Sequence, residues 1–166
     1  MKITEARVII TSPGRNFVSL KICTDEGLYG VGDATLNGRE LAVSAYLKDH
    51  IVPLLVGRDP HQIEDIWQFL YRGAYWRKGP VTMTAISAVD IALWDLISKD
   101  AGLPLYKMLG AFHEDIVPAY ASGGYYQPGK TPEDLANEMR SYLDLGLRAV
   151  KIKVGRVSTS EDVIRI

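Results

Sequence analysis

Short runs of β-branched and apolar residues separated by turn residues fill the first 34 positions, and they predict a β-meander. Lys2 to Thr11 is rich in Ile and Val, and Ser12-Pro13-Gly14-Arg15 breaks it. Asn16 to Thr24 follows, and Asp25-Glu26-Gly27 turns the chain into Leu28 to Val31.

The period then changes to that of helices. Asn37 with Glu40 three positions on, and Asp59-Pro60 with Gln62, each have the composition of a capped helix start. From Val81 to Lys99 the residues Ile86, Val89, Leu93, Leu96 and Ile97 recur at helical spacing. Gly102 closes that helix, and Pro104 lies beyond it.

After about residue 112 the rhythm becomes strand, helix, strand. Ile116 to Ala121 is a short strand, and Thr131-Pro132-Glu133-Asp134 caps a helix reaching about Leu145. Gly146 ends it, and Arg148 to Val154 is a second strand. Ser158-Thr159-Ser160-Glu161 then opens a further helix. This is the β-α-β unit of a parallel sheet or barrel. A complete β/α barrel takes roughly 250 residues, so the chain is expected to be the front part of a longer protein. The predicted organisation is an α+β domain over residues 1–112, followed over 113–166 by the first β/α units of an incomplete TIM-type barrel.

Composition narrows the class. The chain has 166 residues, 47% hydrophobic and 23% charged, with a formal net charge of -1. That balance suits a globular protein with a real core. Charges of both signs are interspersed, so neither a nucleic-acid partner nor an acidic tail is expected. Cys23 is the single cysteine. It cannot form an internal disulfide, and its strand context suggests a core residue. The start lacks the apolar segment of a secretory signal, and no apolar run approaches the roughly 20 residues of a membrane span. A cytoplasmic protein without a membrane partner is the expectation.

The strongest local chemistry is Ala149-Val150-Lys151-Ile152-Lys153-Val154. On a strand, Val150, Ile152 and Val154 share one face, and Ala149, Lys151 and Lys153 share the other. Two ammonium groups about 6 to 7 Å apart repel by about 2.5 kcal/mol at an effective dielectric near 20. That repulsion would favour a neutral amine able to remove a proton. The alternative is a solvated strand face. Gly30-Val31-Gly32-Asp33 resembles the opening of a dinucleotide fingerprint, but it lacks the third glycine and the following helix. Glycines that let a strand bend are the better reading.

Asn37 has the pattern of a structural cap. The stretch Arg72 to Pro80, with Tyr75, Trp76, Arg77 and Lys78, is either a lid over an anionic ligand or a surface connection anchored by Trp76. Asp90 and Asp95 are five residues apart on one helix and read as structural or solvated. His50, His61 and His113 are scattered and match no metal-ligand spacing.

Several stretches together carry a resemblance. Ala85-Ile86-Ser87-Ala88-Val89-Asp90-Ile91-Ala92-Leu93-Trp94-Asp95, then Lys99, then Gly102 to Gly110, resembles the signature helix of the mandelate racemase and muconate-lactonizing family of the enolase superfamily. Lys151-Ile152-Lys153 falls where that family carries its Lys-x-Lys motif on the second barrel strand. Within the family, Ser12 to Val18, Gly32 to Glu40 and Tyr71 to Arg77 are most similar to D-mannonate dehydratases. The second part departs from that subgroup. Ser122 stands where those enzymes have a histidine, Lys151 and Lys153 stand where they carry an arginine and a non-lysine partner, and their tyrosine-bearing insertion is absent.

The resemblance implies an enolase-type capping domain, then the barrel. It implies a magnesium-dependent lyase that abstracts the proton α to a carboxylate and loses water to give a 2-keto-3-deoxy sugar acid. Lys153 would be the base, with Lys151 beside it neutralising a substrate carboxylate oxygen. Asn37, Arg15, Trp76 and Ser122 would contact the sugar acid or cover it. The family's metal ligands sit on later barrel strands, so none is assigned here. The whole protein is expected to be a homo-oligomer. A racemase or epimerase on the same scaffold, and a non-catalytic module, are the alternatives.

Overall fold

The computed structural model describes residues 1–110 and 117–166; His113 and Ile116 lie outside the described residues. The chain forms two compact units, Met1–Phe112 and His113–Ile166.

The first unit starts with three antiparallel strands in the order β1-β2-β3: β1 is Ile3–Thr11, β2 is Phe17–Thr24 and β3 is Tyr29–Asp33. Along β2, Val18, Leu20, Ile22 and Thr24 are buried and alternate with half-buried neighbours. The register sets Ile10, Val8 and Ala6 of β1 beside Val18, Leu20 and Ile22. Cys23 falls in the other row of β2 and is half-buried. The expected core cysteine therefore sits on the face away from the helices.

Six helical segments follow. They are α1 (Glu40–Tyr46), a π-helical stretch (Leu47–Ile51), α2 (Val52–Leu55), α3 (Ile63–Gly73), α4 (Pro80–Asp100) and α5 (Leu105–Met108). The π-stretch has a local cause. Pro53 has no N–H to return to the carbonyl four residues before it, so the α-ladder cannot run through this point.

Helix α4 lies across the inner face of the sheet, with Ala85, Ala88, Val89, Ala92, Leu93 and Leu96 buried. Gly30 and Gly32 pair with Ile22 and Leu20 and face this helix. A Cβ on Gly32 would lie 1.9 Å from the Ala88 carbonyl oxygen, and one on Gly30 would lie 1.9 Å from that of Ala92. The two glycines thus serve close approach between β3 and α4, and not the strand bend expected from the sequence. Asp95 and Lys99 of α4 close the free edge of β3. The Val31 N–H donates to Asp95 Oδ2 (2.9 Å), and Lys99 Nζ donates to that carboxylate (2.6 Å) and to the Tyr29 carbonyl (3.0 Å).

By length and composition α4 is apolar enough to cross a membrane, with a mean hydropathy of 1.4, contrary to the expectation that no segment approaches that length. Its buried residues form the centre of the unit's core.

Two expected caps are turns instead. The N-cap of α1 is Arg39, without a side-chain bond, and Asn37 lies two residues ahead of it. The Arg39 N–H closes a turn on the Leu36 carbonyl (2.9 Å), and Gly38 supplies the left-handed conformation at φ 75°. Asp59 uses Oδ1 to accept the His61 N–H (3.0 Å), an Asx-turn, so α3 begins only at Ile63.

The second unit is β-α-β-α. Strand β4 (Ala121–Ser122) pairs in parallel with β5 (Val150–Lys151), with α6 (Pro132–Asp144) between them and α7 (Thr159–Arg165) after. Both helices start with a capping box, Thr131 with Asp134 and Ser158 with Glu161, as the sequence predicts. The strands are shorter than predicted. Gly124, at φ 64°, turns the chain away from the ladder, and β5 has no other partner among the described strands to extend it.

Candidate active site

In parallel β/α architectures the residues that follow the strands form the site, because the loops at that end are free of packing duties. Ser122 and Lys151 are register partners at the last paired position of the ladder. The Ala121 N–H donates to the Ala149 carbonyl (3.0 Å) and the Gly123 N–H to the Lys151 carbonyl (2.9 Å). Both side chains are exposed. Lys153 lies two residues past Lys151, outside the ladder, and is half-buried. Its Nζ sits 5.2 Å from the centroid of the Tyr125 ring, within the range of a cation–π contact. The expected common strand face for the two lysines is therefore incomplete: Lys151 is a strand residue, and Lys153 belongs to the loop.

Two carboxylates, the half-buried Glu138 and the buried Asp162, hold the loops in place. Glu138 of α6 pairs with Lys130 and accepts the Gly124 N–H (3.0 Å) and the Tyr142 hydroxyl (2.8 Å). The bond from Lys130 is the largest of the effects holding its carboxyl below the ordinary range. Asp162 of α7 accepts the Tyr126 hydroxyl on Oδ1 (2.6 Å) and the Gly155 N–H on Oδ2 (2.5 Å). These bonds, the tyrosine's first, keep it ionised to lower pH than usual. A cleft of about 290 Å³ opens beside them, lined by Tyr126, Lys130, Pro132, Glu161, Ile164 and Arg165 among others.

In the first unit, Arg15 lies in the β1–β2 loop with its guanidinium 4.6 Å from the Phe17 ring centroid. It is close enough to Glu40 to help lower that carboxyl, after the larger effect of the backbone N–H groups of Glu40 and Gly38. The fold thus gathers Arg15 and the Asn37–Glu40 turn at one place. Asn37 is exposed, it does not cap α1, and no hydrogen bond to its side chain is seen among the described residues. Trp76 is 85% exposed and meets Tyr75 edge-on at 5.3 Å; no ring contact or hydrogen bond joins it to Arg15 or Asn37. Lys78 beside it holds a left-handed φ of 74°, uncommon for a residue with a side chain.

Tyr125, Tyr126 and Asp162 are absent from the sequence-based set of site residues. Their contacts join positions up to 36 apart, and no local pattern encodes that distance. Among the described residues, no three His, Cys, Asp or Glu side chains gather into a group able to hold a metal ion.

Residues 6–110 match the family described as mandelate racemase / muconate lactonizing enzyme, N-terminal domain. The chain belongs to this family. Its fold is the capping domain of the enolase superfamily followed by part of the barrel. It is 59% identical over 155 residues to a D-mannonate dehydratase of Rhizorhabdus wittichii, covering 93% of this chain and 38% of that protein. It is 57% identical to a D-galactonate dehydratase family member of Chromohalobacter salexigens, with the same coverage. An enolase from Pantoea ananatis, solved with bound D-gluconate and magnesium, aligns with a TM-score of 0.78 at 38% identity, over 92% of this chain and 36% of its own. The chain therefore spans little more than a third of the length of these relatives.

Proposed function

We propose that this chain supplies the capping domain, residues 1–112, and the first barrel units, residues 113–166, of an acid-sugar dehydratase that resembles D-mannonate dehydratases. The observation that carries the reading is the pairing of Ser122 with Lys151 at the last rung of two parallel strands, with Lys153 in the loop that follows, in a chain 59% identical to a D-mannonate dehydratase.

Lys153 takes the proton α to the substrate carboxylate. Its Nζ lies 5.2 Å from the Tyr125 ring centroid, and the Gly124 turn packs against Ile152, where an added Cβ would come within 2.7 Å of that side chain. Lys151 offers a cation to a carboxylate oxygen, and Ser122 beside it offers a hydroxyl that both donates and accepts. Loss of the β-hydroxyl then gives the 2-keto-3-deoxy acid. Asn37 and Arg15 contact the sugar acid, and Trp76 covers it. The family resemblance implies magnesium, whose role would be to stabilise the enediolate. The described residues do not form a site for it.

A racemase or epimerase is the second reading, favoured by the paired lysines and by Ser122 in place of a histidine. Incubation of the natural protein that contains this chain with D-mannonate, D-gluconate or D-galactonate in deuterated water tests both. Dehydration supports the first reading. Deuterium at the α-carbon with inversion and no loss of water supports the second. Neither outcome with any acid sugar overturns both.

A further inference from the structure

We infer that Asp162 is a positioning residue for Lys153, acting by tying together the two loops that form the Lys153–Tyr125 contact. This rests on the reading of Lys153 given above.

The argument starts from what Asp162 does not do. It lies in the first turn of α7, where a carboxylate is ordinarily a capping or dipole partner. That task is already filled: Glu161 accepts the Ser158 N–H and hydroxyl, and the Ser158 side chain accepts the Glu161 N–H. Asp162 is 9% exposed, and both its oxygens are occupied by donors from outside the helix.

Those donors come from the loops after β4 and β5. Gly155 is two residues beyond Lys153. The Lys151 carbonyl, two residues before it, is held by the Gly123 N–H. The Lys153 backbone is therefore pinned on both sides, within about 7 Å of chain in each direction. Tyr126 follows Tyr125 directly, so its hydroxyl on the same carboxylate anchors the backbone from which the Tyr125 ring projects toward Lys153. Arg165 completes the tie. Its Nη2 donates to the Gly124 carbonyl (3.1 Å), its guanidinium lies 4.2 Å from the Tyr126 ring centroid, and its Nε is 3.9 Å from Asp162 Oδ1. One carboxylate thus replaces the mobility normal for two loops with a fixed base.

The test uses nuclear magnetic resonance of the 166-residue chain, with the Lys153 side-chain methylene signals as the readout. Ring current from Tyr125 shifts them upfield, and Tyr125→Leu identifies that shift. Asp162→Asn keeps the size of the side chain but leaves one acceptor for two donors. It should abolish most of the upfield shift and accelerate exchange of the Gly155 amide. Tyr126→Phe removes one hydroxyl and should reduce the shift in part. If Asp162→Asn accelerates Gly155 exchange while the Lys153 signals stay in place, Asp162 only supports the loop and the inference is overturned. Should Asp162→Asn unfold the second unit, seen as lost protection at Leu135, Tyr126→Phe decides, and an unchanged Lys153 shift overturns the inference.

In the natural protein that contains this chain, Tyr126→Phe and Asp162→Asn should lower kcat for α-proton exchange, on the order of 10²-fold for the latter, with KM little changed. If instead Lys153→Ala retains full exchange while the Lys153 shift is still lost on Asp162→Asn, the base assignment fails and the positioning stands.

Discussion

Ser122 and Lys151 face each other across the last rung of a parallel ladder, at the end where the chain leaves the strands. In that register they lie on the same side of the sheet, so one small anionic group can meet both. In the natural protein that contains this chain, Lys151→Ala should weaken α-proton exchange and raise KM for the sugar acid. Lys153→Ala should reduce exchange by roughly 10²–10⁴-fold, the usual contribution of a positioned base. Lys153→Arg keeps the charge but holds its proton, and should be as inactive as alanine while still binding the acid. Exchange at the parental rate by Lys153→Ala would return both lysines to a solvated surface.

The 1.9 Å approach of the Ala88 oxygen to an added Cβ makes Gly32 a stringent position. Gly32→Ala must push α4 off the sheet or bend β3. Overpacking of this kind costs about 1–3 kcal/mol and more where backbone must move. Urea denaturation should show the midpoint falling, whereas Gly38→Ala, in an open turn, should be penalised only for its left-handed φ of 75°. Equal stability of Gly32→Ala and the parent would contradict the close packing.

His61 bridges Asp59 and Asp100, with Nδ1 and Nε2 each 2.9 Å from a carboxylate oxygen. The bond to Asp100, then that to Asp59, raises its pKa above the ordinary 6.5. A raised histidine contributes stability that is fully present below its unfolded pKa and is lost as pH rises through the folded one. Asp59 is shifted downward, mainly by the His61 N–H and then its ring, so its contribution is lost as pH falls through that lowered value. Thermal melts of the parent and His61→Gln should therefore differ most below the ordinary histidine pKa of 6.5, and the gap should close as pH rises through the raised value. A gap that widens with alkalinity would reverse the sign and exclude the bridge.

Thr131→Ala should destabilise α6 by about 0.5–2 kcal/mol, the usual cost of a lost N-cap. The bonds lost are the Asp134 N–H to Thr131 Oγ1 (3.1 Å) and the hydroxyl to Asp134 Oδ2 (2.7 Å). Faster amide exchange at Leu135 and its neighbours would show it, with Thr131→Ser restoring protection.

Local chemistry was legible in the sequence, and remote contact was not. The Thr131 and Ser158 caps, the three-stranded meander and the long helix follow from residues a few positions apart. Asn37 and Asp59 have the same cap composition, yet each is followed by a residue that makes a tighter turn first, Gly38 in one case and Pro60 in the other. The Gly30 and Gly32 pair carries no sign of its cause, because the backbone it accommodates is about 60 residues away. Lys151 and Lys153 stood out by spacing. The turn at Gly124 and the tie at Asp162, which separate their environments, depend on side chains from other elements.

The carboxylate and ammonium that α4 lays along β3 have a further effect. Val31 and Tyr29 are the positions where an incoming strand would find a donor and an acceptor, and both are already engaged. A newly made copy emerging among its neighbours would meet a sealed border there, so Asp95→Ala should expose a docking strip and turn a well-behaved sheet into a seed for aggregation.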